Sequence, residues 1–156
     1  MTNSLKAEFW NRIGHVQAGM LETAGNTPVP MAPYGDAEAN AIWFITARDT
    51  SVARAAATGA EARLQVADPK ANLYATVEGR VMEVNDTEKL EELWSVVASA
   101  WFEDGRRDDD VRLVRLQPAS AEVWATASGA GFLYEIAKAR LTGDTPDAGD
   151  HGVVTF

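Results

Sequence analysis

Residues 73–84 constrain the fold more than any other stretch, because apolar and polar side chains alternate there over a length that suits a β-strand. One face carries Leu73, Ala75, Val77 and Val81, and the other carries Tyr74, Thr76, Glu78 and Arg80. After Gly79 the alternation changes phase, since Met82 and Val84 are also apolar. A one-residue slip at a glycine is typical of a β-bulge or a barrel corner. The pattern predicts a long, half-buried strand that bends at Gly79.

The remaining segments predict a mainly β fold with a few helices. Further strands are predicted at 16–23, 29–34, 41–46, 62–66, 111–116 and 121–126, with Pro118 between the last two. Helices are predicted at 4–13, 50–58, 85–101 and 129–141. Since strands and helices do not alternate regularly, the strands are expected to pair in antiparallel fashion. The predicted fold class is α+β, mainly β: an antiparallel barrel with peripheral helices.

The helix predicted at 85–101 depends on a capping pattern and an apolar stripe. Asn85 stands three residues before Glu88, which is the spacing of a capping box. Apolar residues then recur at helical spacing, namely Leu90, Leu93, Trp94, Val97 and Trp101. The two features together predict one continuous amphipathic helix.

The chain is expected to form a single domain over residues 1–141, followed by a flexible C-terminal tail at 142–156. Its length is close to that of one domain, and no linker or repeat is visible. Residues 142–152 contain Asp144, Asp147 and Asp150 but neither Lys nor Arg. A run of this composition predicts a mobile tail.

The composition excludes several functional classes. The 14 basic and 23 acidic residues give a net charge of −9, which disfavours binding to nucleic acid or to an anionic membrane. The absence of cysteine removes disulfides, thiolate metal sites and cysteine nucleophiles. His15 and His151 are the two histidines, and no nucleophile elbow accompanies them, so neither a metal site nor a hydrolytic triad is expected. With no apolar run long enough to span a membrane, a cytoplasmic protein is expected.

The aromatic residues leave two interpretations open. Trp43-Phe44, Trp94, Trp101-Phe102 and Trp124 lie on or beside predicted helices and strands. They are suited either to a core and a subunit interface or to the walls of a slot for a planar ligand.

Several short motifs occur in an order and spacing that match a known family. They are Ala18–Thr23, Pro30-Met31, Trp43–Thr46, Asp68-Pro69, Val77–Val81, Glu92–Trp94, Trp101–Gly105, Asp109, Leu113–Leu116 and Ala121–Trp124. The chain resembles the general stress protein 26 branch of the pyridoxamine-phosphate-oxidase-like flavin-binding split barrels, over roughly residues 5–126. The resemblance implies a split antiparallel β-barrel with peripheral helices, which agrees with the barrel predicted above.

The resemblance also implies a homodimer that holds FMN, or in some members FAD, in two clefts between the subunits. Carried over by position, residues that would face the flavin or its phosphate tail are Met31, Phe44, Ile45, Thr46, Thr50 and Ser51. Trp101 and Trp124 are candidate walls of the cleft, contributed by the partner chain. No catalytic residue is predicted.

The sequence departs from the family pattern at two positions that are commonly basic. Val29 precedes Pro30 where the family has Arg, and Val52 or Ser51 stands where a Lys or Arg faces the phosphate. Arg48 and Arg54 flank the loop and are candidate substitutes, although both also suit a solvated helix face. Two functions follow: an FMN-binding oxidoreductase of general stress type, or a cofactor-free binding or structural protein that has lost the phosphate clamp.

Overall fold

The fold is α+β and mainly β. The computed structural model describes residues 2–125, 137–143 and 150–156. The strands are β1 (Gly19–Thr23), β2 (Val29–Met31), β3 (Tyr34–Asp36), β4 (Ala41–Ala47), β5 (Glu61–Asp68), β6 (Leu73–Val84), β7 (Val111–Ala125) and β8 (Asp150–Thr155). The helices are α1 (Thr2–Ile13), α2 (Ser51–Ala57), α3 (Thr87–Leu93) and α4 (Val96–Ser99), with a 3-10 turn at Gly105–Arg107.

The strands form one antiparallel sheet that curls into a barrel. Its strand order is β2-β1-β5-β6-β7-β4-β3, and β8 pairs with β7 outside this path. β2 pairs with β1 at one edge of the sheet, whereas β3, two residues further along the chain, pairs with β4 at the other edge. Because residues 29–36 reach both edges, the sheet has to curl. The predicted split antiparallel barrel with peripheral helices is confirmed.

The barrel interior holds the main core, which two helices help to close. Its largest fully buried side chains are Phe9, Ile13, Leu21, Ile42, Phe44, Leu64, Leu73 and Leu116. Phe9 and Ile13 come from α1, and Val52 of α2 is 2% exposed in the same cluster. A smaller apolar cluster on the outside of the sheet is built on Trp43 and Leu113 and is covered by leucines of α3.

The register shifts between Glu78 and Gly79, where the bulge was predicted, but the extra residue belongs to β7. Gly79 pairs with Pro118 and Glu78 with Ser120, so Ala119 has no partner on β6. A Cβ at position 79 would lie 2.0 Å from the carbonyl oxygen of Gln117, which explains the glycine.

Two predictions about these strands were wrong. Pro118 does not separate two strands, because β7 is continuous from Val111 to Ala125. The proline lies at the bulge, where its lack of a backbone N–H is tolerated. On β6 the phase does not change, since Val77 and Val81 both face the interior. Met82 and Val84 are apolar because they lie on the outer side of the sheet, where Val84 packs against the smaller cluster.

The prediction of one continuous helix at 85–101 was also wrong, because two short helices stand there. The N-cap is Asp86, whose side chain accepts a hydrogen bond from the backbone N–H of Lys89. The helix ends at Leu93, and Trp94 is extended, with φ −61° and ψ 132°. Ser95 Oγ then accepts from the backbone N–H of Ala98 at 3.2 Å, so it caps a separate short helix.

The tail prediction was wrong for the last residues of the chain. Asp150–Thr155 forms β8, and Val154 is fully buried against the main core. The Phe156 ring lies 5.5 Å from the rings of both Phe9 and Trp10. The acidic composition of 142–152 favoured a tail, although a short apolar segment follows it at 153–156. Residues 144–149, and residues 129–136 of the predicted last helix, lie outside the described part of the chain, while 137–142 are helical.

Candidate functional site

Two threonine hydroxyls meet where β4 ends and α2 begins, in a segment that we call the β4–α2 corner (residues 46–54). Thr46 is 9% exposed, and its Oγ1 lies 3.1 Å from Oγ1 of Thr50. Thr50 Oγ1 donates to the carbonyl oxygen of Ala47 at 2.8 Å and accepts from the backbone N–H of Ala53 at 3.1 Å. Since the Thr50 hydroxyl has one hydrogen, Thr46 must be the donor of the bond between them. The corner therefore holds both hydroxyl hydrogens in internal bonds.

The arginines of the corner also have partners. Arg48 Nε lies 2.7 Å from Oδ1 of Asp110, the residue before β7. Arg54 donates a hydrogen bond to the carbonyl oxygen of Asp49. Arg112 stands opposite Thr46 in the β4–β7 register, and its Nε lies 3.2 Å from Oε1 of Glu83. Each of these three cations therefore already has at least one partner.

Phe44 and Ile45 lie on opposite sides of the sheet, as consecutive strand residues must. The Phe44 side chain is fully buried in the main core. Ile45 is half-buried and packs against the smaller outer cluster, beside Leu113 and beneath α3. Their two side chains therefore cannot line one cleft.

The two positions where the family pattern is basic carry core residues in this chain. Val29 is half-buried and packs against the main core, as does Met31 on the same strand. Val52 lies on the buried face of α2. Ser51, the first residue of α2, is half-buried. Both valines therefore contribute to packing.

Trp124 lies on the outer face of the sheet, away from the corner. Its ring stacks on the imidazole of His151 with a centroid distance of 4.5 Å and an interplanar angle of 5°. His151 Nε2 lies 3.4 Å from Oε1 of Glu122. The indole also borders a groove of about 460 Å³. Other residues lining this groove include Met20, Pro30, Gln65, Tyr74 and Thr76.

A larger groove, of about 1050 Å³, lies near the bulge. Arg63 and Arg80 line it, and their side chains lie 2.8 Å from Glu78 and 3.5 Å from Glu61, respectively. None of the predicted site residues lines this groove. We therefore place the candidate site at the corner and at the groove beside Trp124, although that groove is the smaller of the two.

The predicted site residues thus fall into separate patches within one chain. The corner holds Thr46, Arg48, Thr50 and Ser51. Trp124 lies at the outer groove, with Met31 next to the Pro30 that lines it. Trp101, which is 80% exposed, follows α4. His151 and Asp110 were not predicted as site residues, because only strand pairing brings them to Trp124 and Arg48.

A partly buried ion pair attaches α3 to the sheet. Lys89 Nζ lies 3.0 Å from Oδ2 of Asp36, and each side chain is about one-fifth exposed. Burial opposes ionisation of Asp36, but hydrogen bonds from Lys89, from the Ala39 N–H and from Trp43 outweigh it and lower the pKa of the carboxyl. The hydrogen bonds to Asp36 and Glu92 raise the pKa of Lys89. The pair has a clear structural role, which is to hold α3 over the outer cluster.

One polar atom of the described sheet is buried without a partner. Arg115 pairs with Trp43 on one side and Met82 on the other, and its Nε makes no hydrogen bond although no solvent reaches it. Arg115 lies three residues from Arg112 along β7, or about 10 Å, and faces the outer side of the sheet. It therefore does not belong to the corner.

The residues present fit one part of a flavin mononucleotide and not another. Thr46 and Ser51 offer hydroxyl oxygens suited to a polyol chain, whereas the Thr50 hydroxyl already donates one hydrogen bond and accepts two. A phosphate dianion needs charge-assisted donors, and each described arginine of the corner already has a partner. We therefore find that the phosphate does not fit this corner as it stands.

The described part of the chain holds no group of three or more acidic or histidine side chains placed to bind a metal ion. Within that same part, none of the helices has the length and apolarity needed to cross a membrane.

A curled antiparallel sheet with peripheral helices defines the class of split-barrel proteins. A protein assigned as general stress protein 26 in Jannaschia sp. CCS1 has a solved structure with 46% identity and a TM-score of 0.86, and the match covers 100% of each chain. The family model described as "Pyridoxamine 5'-phosphate oxidase like" matches residues 5–147, and the chain belongs to that family.

Two further solved structures are similar. The general stress FMN/FAD binding protein of Xanthomonas citri has 25% identity and a TM-score of 0.68, with 80% of this chain and 90% of that one covered. General stress protein 26 of Bacillus anthracis, at 16% identity and a TM-score of 0.65, covers 76% of this chain and 92% of its own, and it supports the fold alone. A search of curated proteins found no match.

Proposed function

We propose that this chain is a flavin-binding protein of general stress type, in which two copies form a homodimer and share two clefts. One cleft would use the β4–α2 corner of one copy and Trp124 and Trp101 of the other. FMN is the flavin that the resemblance implies, with FAD as the other form. The bound flavin would supply redox chemistry, while the protein supplies the slot and access for a small-molecule substrate. The activity that we propose is that of an oxidoreductase, and the location that we propose is the cytoplasm.

The observation that carries the proposal is the separation of the predicted site residues into patches on one chain. A site shared between subunits accounts for residues that do not meet within a single copy. The 80% exposure of Trp101 also supports it, because an exposed tryptophan is costly in water and is enriched at interface centres. Family membership also supports the proposal. A protein of similar structure, 25% identical to this chain, is named as an FMN/FAD binding protein.

A complementation experiment tests the shared cleft. Ser51→Tyr fills the corner with a ring, and Trp124→Ala removes a wall; each variant alone should bind flavin weakly. When the two variants are unfolded, mixed and refolded, a mixed dimer has one doubly altered cleft and one intact cleft. We expect flavin binding to return at about one site per mixed dimer. If corner and wall belong to one copy, every cleft keeps one substitution and no binding returns.

Leu141→Ala is the matched control for a Trp101→Ala variant, because Leu141 is also apolar and 88% exposed. Loss of flavin binding in Trp101→Ala alone would assign Trp101 to the cleft. Equal binding in both variants would remove Trp101 from the proposal.

A cofactor-free binding or structural protein is the second candidate, and one observation favours it. The described cations of the corner are all engaged, and Val29 and Val52 pack in or against the core. Under this function the purified protein takes up no flavin at any concentration that can be reached, while its dimer and fold remain intact.

A further inference from the structure

We propose that the flavin site does not recognise the terminal phosphate, so that riboflavin and FMN bind with similar affinity, and that Asp110 causes this by occupying Arg48. The inference rests on the proposed function and specifies the ligand class of the same site: a planar ring with a hydroxylated, uncharged tail.

The charge balance around the corner disfavours a phosphate. Arg48 is paired with Asp110 and lies 3.9 Å from a carboxylate oxygen of Asp49. Arg112, opposite Thr46, is paired with Glu83. A phosphate dianion arriving here would meet carboxylates as well as guanidiniums. If Arg48 turned towards the phosphate, the carboxylate of Asp110 would be left unpaired close by.

The hydroxyl hydrogens of Thr46 and Thr50 are already used. Thr50 donates to the carbonyl oxygen of Ala47, and Thr46 donates to Thr50. The backbone N–H of Ala53, in the first turn of α2, donates to Thr50 as well. Thr50 Oγ1 already donates one hydrogen bond and accepts two, so of the two threonines only Thr46 can still accept a hydrogen bond from a ribityl hydroxyl. Neither threonine has a hydrogen to give to a phosphate oxygen.

The described positions that carry apolar residues in place of basic ones leave no substitute cation. Val52 is 2% exposed, and Val29 packs against the core, so neither position can hold a long basic side chain without repacking. Arg54 is engaged with the carbonyl oxygen of Asp49. Two charge-assisted hydrogen bonds would favour FMN over riboflavin by about 100-fold or more. Without them we expect a ratio below about threefold, by the same reasoning.

The test compares the dissociation constants of riboflavin and FMN for the full-length protein, measured by quenching of flavin fluorescence. Asp110→Asn removes the negative charge that pairs with Arg48 and keeps the backbone bonds of residue 110. Asp109→Asn is the matched control, because it removes the same charge from the neighbouring exposed position. We expect Asp110→Asn to tighten FMN about tenfold relative to riboflavin, the effect of one charge-assisted bond, and Asp109→Asn to leave the ratio unchanged.

Each other outcome is also decisive. A wild-type preference for FMN of more than about threefold would overturn the inference, since the phosphate would then be recognised. An Asp110→Asn protein with an unchanged ratio would overturn the role assigned to Arg48 and Asp110. A protein that binds neither flavin would contradict the proposed function itself, which is a different failure.

Discussion

Trp124 on β7 and His151 on β8 stack with their rings 4.5 Å apart and nearly parallel. The contact joins a residue of the candidate cleft to the C-terminal strand. It also explains how β8, which is short and lies on the edge of β7, is held in register at its first residues. The C-terminal strand therefore belongs to the candidate site as well as to the fold.

His151→Ala should weaken the attachment of β8. Removing a stacked ring is expected to cost about 0.5–1.5 kcal/mol beyond the lost area, and the Trp124 fluorescence should change as its ring becomes more exposed. Urea denaturation monitored by tryptophan emission measures both effects. Thr155→Ala, on the exposed side of the same strand, is the control. Equal stability of His151→Ala and the wild-type protein would show that the stack contributes nothing.

Gly79→Ala should destabilise the barrel at the bulge. The new Cβ would lie 2.0 Å from a backbone oxygen, which cannot move without disturbing the β6–β7 register. We expect a loss of about 2–4 kcal/mol in the free energy of unfolding, in the range of severe overpacking. Gly14→Ala is the control, because its Cβ would meet nothing closer than 3.7 Å. Similar stabilities for the two variants would contradict the account of the bulge.

Asp36→Asn should remove the ion pair that holds α3, at a cost of about 1–3 kcal/mol at neutral pH. The folded-state pKa of Asp36 is lowered, so its contribution is complete above the ordinary value of 3.8 and is lost as the pH falls through the lower folded value. The gap between wild-type and variant stabilities should therefore close in acid. A gap that persists at low pH would mean that the asparagine disturbs packing instead.

The pKa of Lys89 is raised, so its contribution to stability is lost in alkali, whereas that of Asp36 is lost in acid. Its contribution is complete below the ordinary value of 10.5 and is lost as the pH rises through the higher folded value. Lys89→Met should thus be less stable than the wild-type protein at neutral pH, with the difference shrinking only in strong alkali. Thermal unfolding at a series of pH values measures it, and a difference that already vanishes near neutrality would contradict the ion pair.

Arg115→Met should leave stability unchanged or raise it by up to about 2 kcal/mol. The Nε of Arg115 is buried without a partner, and an apolar side chain of similar length removes that unsatisfied donor. Chemical denaturation gives the comparison. A loss of more than about 2 kcal/mol would mean that the guanidinium is satisfied in solution by a group that pairs with it.

The sequence predicted the strands whose pattern is local. The alternation at 73–84 and the apolar run at 41–46 are both strands, and the register shift lies where Gly79 indicated. Side-chain periodicity directly reflects which face is buried, so such strands are visible without the fold. The capping pattern near Asn85 was displaced by one residue, because Asp86 competes for the same role.

The features that the sequence analysis missed depend on contacts between distant residues. β8 is short, and the residues before it are acidic. Its stability comes from packing of Val154 and of the following Phe156 against α1 and β7. The pairing of Arg48 with Asp110 joins positions far apart in the chain, so no local pattern could indicate it. Of the candidate site, the sequence therefore predicted the residue types near the corner but not their partners.

The central claim is that two copies bind flavin in shared clefts. Sedimentation velocity of the purified protein with added FMN, followed at both the protein and the visible flavin absorption bands, tests it most directly. The account predicts that flavin sediments with a dimer at two flavins per dimer. A stable monomer, or a dimer from which all of the flavin remains separate, would contradict it.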